Sequence, residues 1–464
     1  MALIKSISGI RGTIGGVAGE NFTPVDIVKF TAAFAALLQK QSQKEAPLTM
    51  VVGRDARISG ELLSRLVCAT LQSMGVNVID TGLSTTPTVE MSVTHLAADA
   101  GIILTASHNP MEWNALKLLK NNGEFISGDE ARELLNIVDK EQYAFSNISS
   151  LGSYITYEKA IDDHIDTILR LPLVAVKEIE KANFKVTLDC VHSTGGLALP
   201  RLLERLGVNS VKTLYGEPTG HFPHNPEPLP EHLYKITEVM QKENFDVGFV
   251  VDPDVDRLSI VDENGNMFGE EYTLVAVADY ILQHTKGNTV SNLSSTRALH
   301  DISEKYGVQY SAAAVGEVNV IAQMKATNAI IGGEGNGGVI YPELHYGRDA
   351  LVGIALFLSY LAKSGKSCSQ LRRQYPEYFI SKNKIVLQPD MNIPVILQAI
   401  AEKYSDYKVS TIDGVKIDFE ENWVHLRRSN TEPVIRIYAE AKALPIAENL
   451  AKKLMSDISE ALRK

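Results

Sequence analysis

Three stretches of the chain follow one plan, and that plan narrows the folds open to it. VVGRDARISGELLSRLVCATLQSMGVNVIDTG begins at Val51, VTLDCVHSTGGLALPRLLERLGVNSVKTL at Val186, and VSNLSSTRALHDISEKYGVQYSAAAVGE at Val290. Each reads as an apolar strand, a polar turn rich in Gly or Ser, an amphipathic helix and a second strand. Each helix closes on Gly-Val, at Gly75–Val76, Gly207–Val208 and Gly307–Val308. Glycine just past a helix is a stop signal because it accepts a left-handed backbone. Strand–helix–strand units of this length favour parallel pairing within α/β layers. A chain of 464 residues exceeds one ordinary core, so the three units predict three related α/β domains.

From about Lys382 the pattern changes. IDGVKIDF and NWVHLRRS read as strands joined by a turn, VIRIYAEA as another strand, and a long helix closes the chain. That predicts an α+β domain on a mostly antiparallel sheet, with domain boundaries near residues 152, 263 and 375.

The formal charge of −11 disfavours a nucleic-acid partner, which needs a basic face. It leaves room for a small anionic substrate, since a few arginines in a cleft outweigh net charge locally. No apolar run approaches a membrane span, and MALIKSISGIRG lacks the apolar core of a signal peptide. Three scattered cysteines, Cys68, Cys190 and Cys368, form no CxxC pair and fit a reducing compartment. A cytoplasmic location is therefore expected. Oligomeric state has no signature in the sequence.

The sharpest chemical signal is FDVGFVVDPDVDRLSIVDENG, Phe245–Gly265. An apolar strand runs into Asp252, Asp254 and Asp256, followed by Arg257. Crowded carboxylates raise one another's pKa unless a cation sits among them. Oxygen ligands with no His or Cys beside them point to Mg²⁺ rather than zinc. An EF-hand does not fit, because Arg257 stands where that loop needs glycine and a strand precedes it.

LTASHNPMEWNALKLL, Leu104–Leu119, follows the apolar stretch ending at Ile103. Ser107 there reads either as the cap of a following helix or as a reacting group. A Ser–His hydrolase dyad is not expected, because His108 as the immediate neighbour should point elsewhere and no glycine flanks the serine. If Ser107 reacts, the chemistry is metal-assisted phosphoryl transfer. HLRRSNTEPVIR, ending at Arg436, gathers Arg427, Ser429, Asn430 and Thr431 into one turn that suits a phosphate. IIGGEGNGGVIYPELHYGRDA offers Glu334 and Asn336 on a glycine-rich loop, either to sugar hydroxyls or as a plain connection.

Together these segments resemble the α-D-phosphohexomutase family, the phosphoglucomutases, phosphomannomutases and phosphoglucosamine mutases. TASHNP is similar to the family's phosphoserine loop, DPDVDR to its metal loop, GEGNGG to its sugar loop and RRSNTEP to its phosphate loop. SGIRG at Ser8–Gly12 and VGRDARISG at Val52–Gly60 agree as well. The resemblance covers essentially the whole chain in the expected order. It implies an α/β fold of three related α/β domains with mixed sheets plus a C-terminal α+β domain, around a central cleft. The domains would span 1–152 (phosphoserine), 153–263 (metal), 264–375 (sugar) and 376–464 (phosphate).

The resemblance further implies that Ser107 carries a phosphoryl group and joins Asp252, Asp254 and Asp256 around one Mg²⁺. Hexose 1,6-bisphosphate would be the activator and intermediate and a small phosphosugar the partner, with no nucleic acid or membrane partner. Arg11, His108 and Lys117 would lie near the chemistry, with Lys117 the first choice for proton transfer, its pKa lowered by neighbouring cations. Asn114 would support the same loop, and Arg257 would touch the phosphoryl group. Arg427, Ser429, Asn430, Thr431 and Arg436 would hold the distal phosphate, and Glu334 and Asn336 the sugar. Asn336–Gly337–Gly338 replaces the Ser-Gly-His of many relatives, and Ala314–Met324 lacks a lysine that some bacterial relatives carry. Those variants resemble the phosphoglucosamine mutase group; a broad phosphomannomutase/phosphoglucomutase and a metal-dependent phosphatase are the alternatives.

Overall fold

The computed structural model describes residues 3–6, 9–387, 392–429 and 434–461. The chain forms two compact units, Met1–Tyr280 with Asn336–Leu371, and Ile281–Gly335 with Arg372–Lys464.

Each repeat folds as its pattern predicts. Strand Thr49–Arg54 leads to helix Gly60–Ser73 and strand Asn77–Leu83; Lys185–Asp189 leads to Gly195–Arg205 and Ser210–Leu214; Asn288–Asn292 leads to Ala298–Tyr306 and Tyr310–Ala313. Gly75, Gly207 and Gly307 stop their helices with φ of 75°, 79° and 65°, a region a side chain would strain. In every repeat the two strands pair in parallel.

The sheets of the first unit are mixed. Seven strands run in the order Ile4–Ser6, Gly9–Thr13, Trp113–Lys120, Ala100–Leu104, Thr49–Arg54, Asn77–Leu83 and Tyr154–Thr156. Thr49–Arg54 is parallel to both neighbours, whereas Ala100–Leu104 meets Trp113–Lys120 antiparallel. A second sheet orders Leu258–Asp262, Val247–Val251, Lys185–Asp189 and Ser210–Leu214. Met50, Val52, Ile102 and Leu104 pack with Phe30, Phe34, Leu63, Val67 and Leu71 of the covering helices. Burial of each such large apolar side chain contributes about 1.5–3 kcal/mol.

One expectation fails. No helix follows Ser107: Trp113–Lys120 is a strand that returns beside Ala100–Leu104, with Ile103 opposite Lys117. Its first seven residues are all buried. A segment buried on both faces has no amphipathic helical stripe to place, and it forms a central strand instead.

In the second unit, Asn288–Asn292 lies parallel between Tyr310–Ala313 and Ala329–Glu334. The C-terminal sheet is antiparallel throughout, in the order Phe379–Val386, Val434–Ala441, Trp423–Arg428, Val415–Asp418 and Lys408–Ser410. Ile396, Ile400, Leu454 and Ile458 from two helices cover Ile417, Val424, Leu426 and Ile437 on one face of it. Among the described residues no helix is long and apolar enough to cross a membrane.

Candidate active site

The acidic loop is built by a tight reversal between two buried strands. Val247–Val251 delivers Asp252, and the chain returns as Leu258–Asp262. Val255 takes a left-handed φ of 63° at the tip. Asp252 Oδ1 accepts from the backbone N–H of Asp256 and Arg257, both at 3.2 Å. The Pro253 carbonyl accepts from the hydroxyls of Ser193 and Thr194 at 2.6 and 2.9 Å. So held, Asp252, Asp254 and Asp256 are all 0% exposed, and each offers an oxygen to a common centre.

Three buried carboxylates stay charged only with cations beside them, and Lys117 and Arg348 reach only the Oδ2 atoms of Asp254 and Asp256. Burial, with Asp256 and Asp254 adding repulsion, pushes the Asp252 pKa well above the ordinary carboxylate range. Asp254 goes the other way: burial opposes ionisation, but Lys117 and Thr86 outweigh it and hold the pKa down. Asp254 Oδ1 and Asp256 Oδ1 are buried with no hydrogen-bond donor among the described residues. Orphaned anionic oxygens in an all-oxygen set fit a hard divalent cation such as Mg²⁺.

Ser107 meets this cluster directly. Its Oγ donates to Asp252 Oδ2 at 2.6 Å, across 145 positions of sequence. Its φ of 48° is left-handed, at a cost of about 1–3 kcal/mol for a residue with a side chain. The loop that imposes this conformation is clamped by Arg57. Arg57 Nη2 donates to the carbonyls of Ser107 and Asn109 at 2.5 and 2.6 Å, and Nη1 to those of Pro110 and Trp113 at 2.6 and 2.9 Å. Arg57 Nε pairs with Asp55 Oδ2 at 3.1 Å, and Thr105 donates to the same oxygen at 2.6 Å. VGRDARISG carries this clamp, but only the fold reveals what its Asp and Arg do.

His108 does not point elsewhere, as sequence adjacency suggests. The left-handed turn at Ser107 brings His108 Nδ1 to 3.4 Å from Ser107 Oγ. Burial, then Arg257, Arg11 and Arg348, lower its pKa well below the usual histidine value, so it is neutral at physiological pH. Arg11 reaches Asn109 Oδ1 at 3.3 Å; Ser8, from the same SGIRG motif, lies outside the described residues.

Lys117 departs from expectation in sign. Its Nζ lies 2.6 Å from Asp254 Oδ2 and 3.5 Å from Asp256 Oδ2. Burial works against the ammonium, but the two aspartates prevail and raise its pKa above the ordinary lysine value. The nearby cation that opposes them is Arg348. Arg348 was invisible as a site residue in the sequence, yet its Nη2 donates to Asp256 Oδ2 at 2.7 Å. Thr86 was missed too; its hydroxyl donates to Asp254 Oδ2 at 2.5 Å. Arg257 Nε stands 4.0 and 3.9 Å from Asp252 and Asp256, while Nη1 meets Glu227 at 3.3 Å. Asn114 is buried and donates to Ser59 Oγ at 2.9 Å.

Also in the first unit, Asn336 Oδ1 accepts from Gly338 N at 3.2 Å, and the Gly337 carbonyl accepts from Leu258 N at 3.1 Å. The Asn336 loop therefore rests against the residue that follows Arg257.

In the second unit, Glu334 is buried and its Oε1 accepts from Asn292 Nδ2 at 2.8 Å and Gly316 N at 3.0 Å. Arg427 and Arg436 stand directly opposite on adjacent antiparallel strands, and Lys384 lies opposite Arg436 on the next. Directly opposite residues share a face, so three cationic positions form one row. Lys384 was missed because its strand is remote in sequence. Ser429 is buried just past the end of the strand that carries Arg427. Asn430 and Thr431 lie outside the described residues.

A serine hydroxyl on a buried acidic triad, in a chain of α/β domains closed by an antiparallel sheet domain, defines a phosphoryl-transfer class. The sequence matches the Phosphoglucomutase/phosphomannomutase family in all four of its parts: alpha/beta/alpha domain I over residues 4–145, domain II over 162–265, domain III over 269–378 and the C-terminal domain over 386–456. The chain belongs to this family of phosphohexomutases. It is 36% identical to a phosphoglucomutase/phosphomannomutase of Thermococcus kodakarensis over 97% of this chain and 99% of that one. It is 32% identical to a phosphoglucosamine/phosphogalactosamine mutase of Sulfurisphaera tokodaii, covering 98% of each chain. A solved structure of a phosphoglucomutase/phosphomannomutase family protein from Burkholderia thailandensis superposes with a TM-score of 0.83 at 25% identity, covering 100% of this chain and 98% of that one.

Proposed function

We propose that the chain interconverts hexose 6-phosphate and hexose 1-phosphate by passing a phosphoryl group between Ser107 and the sugar, through a 1,6-bisphosphate, with glucosamine phosphate as its substrate. The observation that carries the reading is the 2.6 Å contact of Ser107 Oγ with Asp252 Oδ2, which sets a hydroxyl on the acidic triad. A bound Mg²⁺, held by Asp252, Asp254, Asp256 and an oxygen of the phosphorylated serine, would supply charge stabilisation to the transferring group.

This chain's own residues do the rest. Arg57 fixes the Ser107 carbonyl and with it the direction of Oγ. In the forward half-reaction the Ser107 Oγ–P bond breaks and a P–O bond to a free sugar hydroxyl forms. One proton leaves that hydroxyl and one returns to Ser107, so the exchange is proton-neutral. Lys117 carries the proton at the sugar. Burial and Arg348 lower its pKa while Asp254 and Asp256 raise it, so a cation held by those aspartates would weaken the raising contacts and ease loss of the proton. Arg257 and Arg11 face the phosphoryl oxygens. The phosphate that is not reacting rests on Arg427, Ser429, Asn430, Thr431 and Arg436. Glu334 and Asn336 take the sugar's polar groups.

The amino-sugar assignment draws its support from the Sulfurisphaera relative's name and from the carboxylate of Glu334, a partner for an ammonium. The three free, buried cysteines fit action in a reducing cytoplasm. Catalytic efficiency on glucosamine, mannose and glucose phosphates, with released inorganic phosphate measured alongside, tests the reading. Glucosamine phosphate is expected to lead with negligible phosphate release. A tenfold preference for mannose or glucose phosphate would overturn the sugar, and stoichiometric phosphate release would overturn the mutase.

A further inference from the structure

Beyond the catalytic cluster, a second set of ligand-type side chains converges within the first unit. His164 comes from helix Ala160–Leu169, Asp349 caps helix Ala350–Ser364, and His345 lies just ahead of it. His164 Nε2 is 2.9 Å and His345 Nε2 3.4 Å from the same atom, Asp349 Oδ2. His164 is 1% and Asp349 0% exposed, and the His345 side chain 13%. A tetrahedral ion with bonds of about 2.0–2.1 Å sets its donor atoms about 3.3 Å apart. The two observed separations bracket that edge, and the three residues each turn one ligand atom to a common centre.

The far ends of His164 and Asp349 are held by hydrogen bonds, and that of His345 faces a carboxylate, the kind of outer partner metal ligands use. His164 Nδ1 lies 3.0 Å from Thr88 Oγ1, and His345 Nδ1 3.4 Å from Glu90 Oε2. Asp349 Oδ1 accepts from Leu351 N and Val352 N at 2.7 and 3.3 Å. Without an ion both Nε2 atoms hydrogen-bond to Asp349 Oδ2; a metal would replace those shared protons, leaving each imidazole to carry its proton on Nδ1, turned outward.

We propose that His164, His345 and Asp349 form a second metal site, for an imidazole-preferring divalent ion of the Zn²⁺ class rather than Mg²⁺. The fourth position is left to water. The site is structural. Its outer partners Thr88 and Glu90 share helix Thr86–His95 with Thr86, which holds Asp254. Arg348, beside Asp349, holds Asp256, and Ala350 N donates to the Val255 carbonyl at 3.2 Å. The ion clamps the elements that back the acidic loop. The inference stands independently of the sugar and of the mutase reading.

Tag-free full-length protein, stripped by a chelator and kept in excess Mg²⁺ to saturate the aspartates, is titrated with Zn²⁺ or Co²⁺. One equivalent should bind, and Co²⁺ should give the intense visible absorption of a four-coordinate site. Loss of an outer partner weakens metal sites by about 10–100-fold, so Glu90→Gln should fall in that range and His345→Ala below it. X-ray absorption of the zinc-loaded wild type should show imidazole scattering, a readout independent of any variant's folding. No uptake in excess Mg²⁺, zinc without imidazole neighbours, or affinity unchanged in both variants would overturn the site.

Discussion

Ser107 is held by contacts that do not resemble one another: Asp252 at its hydroxyl, Arg57 at its carbonyl, and Thr105 Oγ1 at its N–H, 2.9 Å away. Removing the hydroxyl removes the nucleophile, so Ser107→Ala should lower kcat by at least ~10³-fold, and in the metal-free protein it should cost about 1–3 kcal/mol of stability by taking the donor from buried Asp252. Lys117→Met should cut kcat by roughly 10²–10⁴-fold and flatten the limb of the pH–rate profile that belongs to the proton carrier. His108→Gln should cost far less, because burial and Arg257, Arg11 and Arg348 lower its proton affinity and make it a weak base. An equal loss in both variants would contradict the division of labour. Without metal, Lys117 is also the counter-charge for Asp254 and Asp256. Lys117→Met should then destabilise the metal-free protein by about 3–5 kcal/mol, a loss that denaturation in Mg²⁺ should show largely recovered. At this scale the sequence was legible where chemistry is local. Three aspartates at alternate positions announce themselves. Arg348, Thr86 and Arg57 do not, because each acquires its role only when a distant loop folds against it.

Strands account for the largest misreading and for the least expected charge arrangement. WNALKLL follows a serine and an Asn-Pro turn, which invites a helix, but burial on both faces makes it a central strand and carries Lys117 inward. The alternation of Val434–Ala441 and Trp423–Arg428 was readable, yet the register that aligns Lys384, Arg436 and Arg427 was not. Like charges directly opposite repel, and a phosphate bound across this row, as proposed, would draw them together. Lys384→Met should weaken phosphosugar binding about tenfold, the loss of one charge-assisted hydrogen bond, and the effect should shrink at high salt. On strand Trp423–Arg428, His425 is buried; its Nε2 donates to the Asp413 carbonyl, 2.6 Å away, which leaves Nδ1 to accept from the Ser294 hydroxyl, 2.8 Å away. Burial is the main cause that lowers its pKa to about 4. A folded pKa below the unfolded value of about 6.5 means the unfolded chain binds the extra proton between those values. Stability from His425 is therefore present above pH ~6.5 and is lost as pH falls towards ~4, on the order of 2 kcal/mol between pH 7 and pH 5. Denaturant midpoints of wild type and His425→Gln at both pH values check this: the variant should lose less.

Over the whole molecule, the repeat of strand, helix, Gly-Val and strand made three α/β domains readable before any contact was known. It could not reveal that the chain, followed in space, interleaves: the second unit takes Ile281–Gly335 and then Arg372–Lys464, while Asn336–Leu371 returns to the first. That return is what delivers Arg348 to the acidic loop and Asp349 to His164. Chelation should abolish turnover and Mg²⁺ should restore it, because orphaned oxygens of Asp254 and Asp256 need a cation. The central claim is that Ser107 carries the phosphoryl group from sugar to sugar. Intact-protein and peptide mass spectrometry after incubation with glucose 1,6-bisphosphate, followed by a chase with hexose 6-phosphate, tests it most directly. One phosphoryl group should appear on Ser107 and leave to the sugar in the chase. A Ser107 that never becomes phosphorylated, or that loses the group only to water, would contradict the account.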